Sequence, residues 1–175
     1  MAEFRFRPYC ETTDFDIIYQ AACDYGKDVT QYEVSCGYYP EKESYRQALK
    51  NRFDRHLFPI MVVDDNDHAI GMTFPYDRYR LGRCWKLQIH LWERKELTKE
   101  VLRGSLQQLF EDGYTDMVII QLPGNEEELL AACRCVGMKE VSRIPNRRSY
   151  KGKLVTEYGF ALSYEKWKEL IELIS

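Results

Sequence analysis

The sequence predicts a mixed α/β domain: one central, mostly antiparallel sheet of about seven strands, with helices on both faces. Three observations carry that reading. Short apolar or alternating runs recur at 58–63, 84–92 and 117–122, as strands require. Between them lie stretches whose apolar residues return every three or four positions, as on one face of a helix. Two turn signals, Asp64-Asp65-Asn66-Asp67 and Lys151-Gly152, join strand-like runs directly, which makes those pairs antiparallel hairpins.

The elements follow in order. Residues 3–9 set Phe4, Phe6 and Pro8 against Arg5 and Arg7, a strand pattern. Thr12 or Thr13 is placed to cap a helix with Phe15, Ile18, Ala22 and Tyr25 on one face and Gly26 as its stop. Residues 27–40 are polar and rich in tyrosine (Tyr32, Tyr38, Tyr39), closed by Pro40, with no regular element expected. Residues 41–55 read as a polar helix, 58–63 as a strand, and Ala69 to Tyr76 as its hairpin partner. In 84–92, Trp85, Leu87, Ile89 and Leu91 share one face, and Lys86, Gln88, His90 and Trp92 the other. A helix over 97–112 carries Leu97, Val101, Leu102, Leu106, Leu109 and Phe110 at helical spacing and ends at Gly113. Met117 to Leu122 form a short apolar strand, broken by Pro123-Gly124. Asn125, with Glu128 three residues on, reads as the N-cap of a helix that ends at Gly137. Residues 138–150 and 153–162 are two more strands, and Ser163 caps a last helix with Trp167, Leu170, Ile171 and Ile174 on its apolar face.

Composition narrows the function. The 175 residues fit a single domain over 1–175, 45% apolar and 30% charged, with no low-complexity linker or repeat. A net charge of -3 disfavours nucleic acid as a partner. No run approaches the 18 apolar residues of a membrane span, and the first residues lack a signal-peptide core, so no membrane and a cytoplasmic setting are expected. The 6 Cys contain no C-x-x-C pair, which points to small buried hydrophobes rather than zinc or redox chemistry. His56, His68 and His90 are scattered, and the acidic turn lacks the glycine and distant glutamate of a calcium loop, so no metal is expected. Neither a G-x-S-x-G elbow nor a phosphate-binding G-x-x-x-x-G-K-S/T loop occurs.

Several segments in fixed order resemble the GNAT superfamily of N-acetyltransferases. The strand Trp85-Lys86-Leu87-Gln88-Ile89-His90-Leu91 precedes a helix, as in the family's acetyl-CoA motif. Asn125 to Met138 is similar to the family's Asn-x-x-Ala helix that closes on Gly-Phe. Tyr150-Lys151-Gly152-Lys153, then Glu157, then Glu165-Lys166-Trp167 resemble the tail of the branch that acetylates ribosomal-protein N-termini, which also holds polyamine and drug acetyltransferases. The resemblance implies the GNAT fold, acetyl-CoA as co-substrate and a primary amine as acceptor, with a homodimer through the last strands as a further possibility. It implies that the backbone at Ile89 and Leu91 holds the pantetheine, and that Lys95, Leu97, Thr98, Lys99 and Asn125 contact the cofactor. By the same token His90 is the candidate base, its unperturbed pKa near 6.5 suiting the task. Cys133 falls where the family places a tyrosine acid. The readings from residue type alone stand beside these: His90 as a surface imidazole, Cys133 as core, Asn125 as a helix cap.

The sequence also departs from the family. Between strand and helix the family carries glycines, because backbone N–H groups at a helix N-terminus take the pyrophosphate and glycine lets it approach. Here Glu93-Arg94-Lys95-Glu96-Leu97-Thr98-Lys99 has none. Two hypotheses follow: an acetyl-CoA-dependent N-acetyltransferase, or a GNAT-fold relative that has lost the cofactor and serves as a binding module. Arg143, Arg147, Arg148, Lys151 and Lys153 are candidates to contact a nucleotide phosphate or an acidic partner, or else form a solvated hairpin edge blunted by charge. Tyr38, Tyr39, Tyr76 and Tyr79 are candidate walls of a substrate cleft.

Overall fold

Alternation along the central strands gives the sheet two apolar faces, each packed against helices. The computed structural model describes residues 4–26, 41–53, 59–79, 83–111, 113 and 115–172. The strands are β1 (Arg5–Pro8), β2 (Ile60–Val63), β3 (Ala69–Tyr79), β4 (Cys84–Leu91), β5 (Met117–Pro123), β6 (Lys139–Tyr150) and β7 (Lys153–Ser163). The helices are α1 (Glu11–Gly26), α2 (Lys42–Phe53), α3 (Thr98–Glu111), α4 (Glu127–Cys135) and α5 (Tyr164–Glu172), with a single 3-10 turn at Lys95–Leu97 before α3. The seven strands form one sheet in the order β1-β2-β3-β4-β5-β7-β6. Every neighbouring pair is antiparallel except β4 and β5. The predicted mixed α/β class, with about seven mostly antiparallel strands, is what the structure has.

On one face Val62, Ile70, Leu87, Ile89 and Leu91 pack under Val101, Leu102 and Leu106 of α3, Leu129 and Leu130 of α4, and Trp167 of α5. On the other, Met61, Val63, Ala69, Met72 and Trp92 pack under Phe15 and Ile18 of α1 and Tyr45 and Leu49 of α2. Side chains at Val62 and at its neighbours Met61 and Val63 therefore go to opposite layers, as a period of two demands.

Turn chemistry sets the connections. Asp64 Oδ1 accepts the N–H groups of Asn66 and His68, both at 2.9 Å, so this acid of the β2–β3 turn is used in folding it, while Asp67 pairs with Arg5 and Arg7 of β1. Lys151 and Gly152 both have positive φ, 48° and 73°, as a two-residue type I′ hairpin requires. α4 closes in a Schellman motif: Gly137 has φ 86°, and Met138 N–H donates to Cys133 O at 3.0 Å. Ser163 Oγ accepts the N–H of Lys166 at 3.3 Å and caps α5 as predicted.

Two helix starts differ from the sequence reading. α1 begins at Glu11, not after Thr12 or Thr13, because the Cys10 carbonyl already accepts the N–H groups of Thr13 and Asp14. Asp14 itself is buried and receives both Arg7 nitrogens at 2.7 Å, which ties α1 to β1. The N-cap position of α4 falls at Glu126 rather than Asn125, with no side-chain capping bond. The helix expected over 97–112 is α3, Thr98–Glu111, preceded by the 3-10 turn.

Candidate functional site

The site begins where the sheet's one parallel pairing fails. β4 and β5 pair only at Cys84↔Met117, Trp85↔Val118 and Lys86↔Ile119. β3 continues to pair with β4 as far as Leu91, and β7 with β5 as far as Pro123. Beyond Lys86 the β4–β5 ladder stops, and a slot of about 50 Å³ opens between Leu87, Gln88, Ile89 and His90 on one wall and Ile120, Gln121, Leu122 and Pro123 on the other. Tyr76, Glu126, Leu129 and Arg148 complete it. Arg148 Nε donates to Glu157 Oε2, an ion pair in which both side chains are largely buried.

A wider cleft of about 720 Å³ meets the slot. Its wall runs from α1 (Asp16, Gln20, Asp24) past the end of β4 (Ile89 to Glu93) to the start of α4 (Asn125, Glu126, Glu128). Among the described lining residues five are carboxylates, Asp16, Asp24, Glu93, Glu126 and Glu128, and one is a lysine or arginine, Lys95. Lys42 answers Asp16 at 2.7 Å, and His68 Nε2 lies 3.2 Å from Glu93.

Of the predicted site residues, Ile89, His90, Leu91, Lys95, Thr98 and Asn125 line this one cleft. Asn125 Oδ1 is buried without a hydrogen-bond partner. Leu97 instead packs against the core under α3, and Lys99 pairs with Glu100 at 3.3 Å. The glycine-free loop turns through Arg94, at φ 51° and ψ 46°. A left-handed residue is thus supplied by arginine where glycine is the easy choice. The Glu96 carboxyl is held below its usual range by its own backbone N–H and then by Arg94, 3.2 Å away. Thr98 Oγ1 donates to Lys95 O at 2.6 Å.

His90 and Cys133 sit in different surroundings. Burial, then the charge of Lys95, lowers the His90 pKa to about 4, so its imidazole is neutral near pH 7 rather than poised near 6.5. Cys133 is fully buried in the α3–α4 core and does not line the cleft. Burial pushes its thiol up to about 12, too weak an acid to serve a leaving thiolate. The basic hairpin is partly neutralised: Arg143 donates to Glu140 at 2.8 Å, and Arg148 is held by Glu157. Tyr76 lines the slot and is not among the described lining residues of the wider cleft; Tyr38, Tyr39 and the Tyr79 side chain lie outside the described residues.

Sequence reasoning missed Glu126 and the polar stripe of α1. The stripe was legible, since Asp16, Gln20 and Asp24 recur every four residues opposite the apolar face.

No family model matches the sequence. No curated protein matches it either. Solved structures match the fold. The spermidine/spermine N-acetyltransferase SpeG from Vibrio cholerae, in mutant form, aligns with a TM-score of 0.81 and 11% identity, over 97% of this chain and 98% of that one. A chimera of the same enzyme with hSSAT gives 0.79 and 12%, over 96% and 99%. The dodecameric form of the Vibrio cholerae enzyme gives 0.80 and 12%, over 95% and 97%. The chain has the GNAT fold of these N-acetyltransferases. These three are polyamine acetyltransferases, and the ribosomal-protein branch named from the sequence gains no support from them.

Proposed function

We propose that the chain is an acetyl-CoA-dependent N-acetyltransferase whose acceptor is a primary amine of the polyamine class. The observation that carries the reading is the break in the β4–β5 ladder. It supplies a narrow slot whose walls are extended backbone, the kind of surface a pantetheine arm with two amide groups can pair with. The buried, unpartnered Asn125 Oδ1 is an acceptor suited to one of those amide N–H groups. Ile89 and Leu91 would hold the arm by main chain, and Lys95 and Thr98 would meet the phosphates at the start of the α3 segment. When bound, acetyl-CoA supplies the acetyl group and a thiol leaving group.

The acceptor class rests on charge. Five carboxylates line the cleft against Lys95, with Lys42 beside Asp16 and His68 beside Glu93, so its wall carries more acidic than basic side chains and suits a cation, and more so one with several charges. The fold neighbours act on spermidine, which agrees with that chemistry. Titration calorimetry with acetyl-CoA should show heat, and release of free thiol should require an amine, with spermidine favoured over a monoamine. No detectable heat at millimolar acetyl-CoA overturns the reading.

A further inference from the structure

This inference rests on the acetyltransferase reading above. The slot and the cleft share four described lining residues: Ile89, His90, Glu126 and Leu129. Their junction is where an amine lying in the cleft meets an acetyl group lying in the slot. Ile89 and Leu129 are apolar and cannot take a proton. His90 is neutral, with burial and then Lys95 holding its pKa near 4, so it brings no negative charge to an ammonium. Tyr76 and Arg148, also in the slot, are a phenol and a guanidinium rather than carboxylates. Among the described residues, Glu126 is therefore the one carboxylate that lines both spaces.

Its position is fixed by backbone. Glu126 N–H donates to Pro123 O at 3.1 Å, and Leu130 N–H donates to Glu126 O at 2.9 Å. It is the N-cap residue of α4, yet its carboxylate makes no capping bond. A short or uncharged cap would serve the helix as well or better. A long carboxylate there stands at the mouth of the slot.

We propose that Glu126 is a catalytic residue: its carboxylate engages the acceptor ammonium at the junction and takes the proton that must leave before the nitrogen can attack. In that step an ammonium N–H bond breaks and an O–H bond forms on Glu126, and the proton then passes to water in the cleft. The freed lone pair forms the C–N bond to the acetyl carbon, the C–S bond breaks, and a second proton from nitrogen goes to sulfur. One proton is released to solvent per turnover. The first transfer is uphill for an ordinary amine, so Glu126 matters most where the amine is charged and least where it arrives neutral.

The test is Glu126→Gln against wild type, with acetyl-CoA affinity by calorimetry and kcat/KM for spermidine from about pH 7 to about pH 9.5. Acetyl-CoA should bind both proteins within about twofold. The variant should lose about 100-fold in kcat/KM at pH 7, the size expected of a general base, with the deficit shrinking to within about tenfold at the alkaline end. A merely structural role predicts the same deficit at every pH, and that result overturns the proposal, as does wild-type activity in the variant. If Glu126→Gln loses its far-ultraviolet circular dichroism, Glu126→Asp, a better helix cap, carries the test: partial activity with the same pH-dependent deficit supports the proposal and full activity overturns it. Wild type that binds no acetyl-CoA removes the functional reading itself, a result separate from a silent Glu126.

Discussion

His90 stays neutral in the folded protein while the same imidazole titrates near 6.5 in the unfolded chain. Between about 6.5 and the folded value of about 4 the unfolded state binds the proton and the native state does not. Stability is therefore whole above that window and falls as pH drops through it, by on the order of 3 kcal/mol. Denaturation midpoints at several values between about pH 7 and pH 4.5 measure the slope, and His90→Gln should flatten it. Asp14 acts lower. Burial alone would raise its carboxyl, but hydrogen bonds from Arg7 and Cys10 N–H outweigh that, so its contribution is lost only below the usual carboxylate range. The cysteines sort by the same physics. Cys10 is exposed and its thiol is lowered by hydrogen bonds from Thr12 and Thr13, Cys135 is exposed, and Cys84 and Cys133 are buried and raised. Among these four, maleimide labelling followed by peptide mapping should mark Cys10 first, then Cys135, and reach Cys84 and Cys133 only in denaturant. Early labelling of Cys133 would contradict its place in the core.

At the scale of elements, the strand at 84–92 was legible because alternation is a local signal. Leu87, Ile89 and Leu91 went to the α3–α4 layer and Trp92 to the α1–α2 layer, as the pattern required. The start of α4 was not legible. Asn125 offers good capping chemistry, but three glutamates follow it, and the frame is set by Gly124, whose N–H donates to Thr156 O of β7 at 2.7 Å. That bond is tertiary and leaves no mark in local sequence. The point where β4 leaves β5 was equally hidden, since both strands remain regular on their other edges. The loop between β4 and α3 was half legible. Its lack of glycine was plain, but not that Arg94 would take the left-handed conformation, nor that Glu96 would fold back on its own N–H. Under the proposed function a diphosphate must displace that carboxylate from the start of the helix segment. Glu96→Gln removes the competing charge while keeping the side chain's length. It should tighten acetyl-CoA by about two- to fivefold, the range of a single charge at an exposed helix N-terminus, read by calorimetry at low salt. Weaker binding in the variant would mean that Glu96 organises the loop instead of competing within it.

For the whole molecule the net charge is only -3, yet the cleft concentrates carboxylates from three separate regions. Asp16 and Asp24 come from α1, Glu93 from the end of β4, and Glu126 and Glu128 from the start of α4. No one stretch of sequence shows this sum, because the fold gathers it, and Lys95 is the sole lysine or arginine among the described lining residues. The two proposed substrates carry opposite charge, so the same field acts on them with opposite sign. Salt screens partly exposed charges over about 8–10 Å at ordinary ionic strength. Raising salt from about 50 mM to about 500 mM should therefore raise the KM for a triamine several-fold and barely change that for a monoamine. Over the same range the Kd for acetyl-CoA should hold steady or fall, because screening removes repulsion between its phosphates and the acidic wall. Asp24→Asn should reproduce part of the triamine effect at low salt without weakening acetyl-CoA, since Asp24 belongs to the α1 wall and not to the β4–α3 loop. Calorimetry for the donor and initial rates for the two amines separate these responses. Parallel movement of KM and Kd with salt would show that the charge gathered in the cleft does not sort the two ligands.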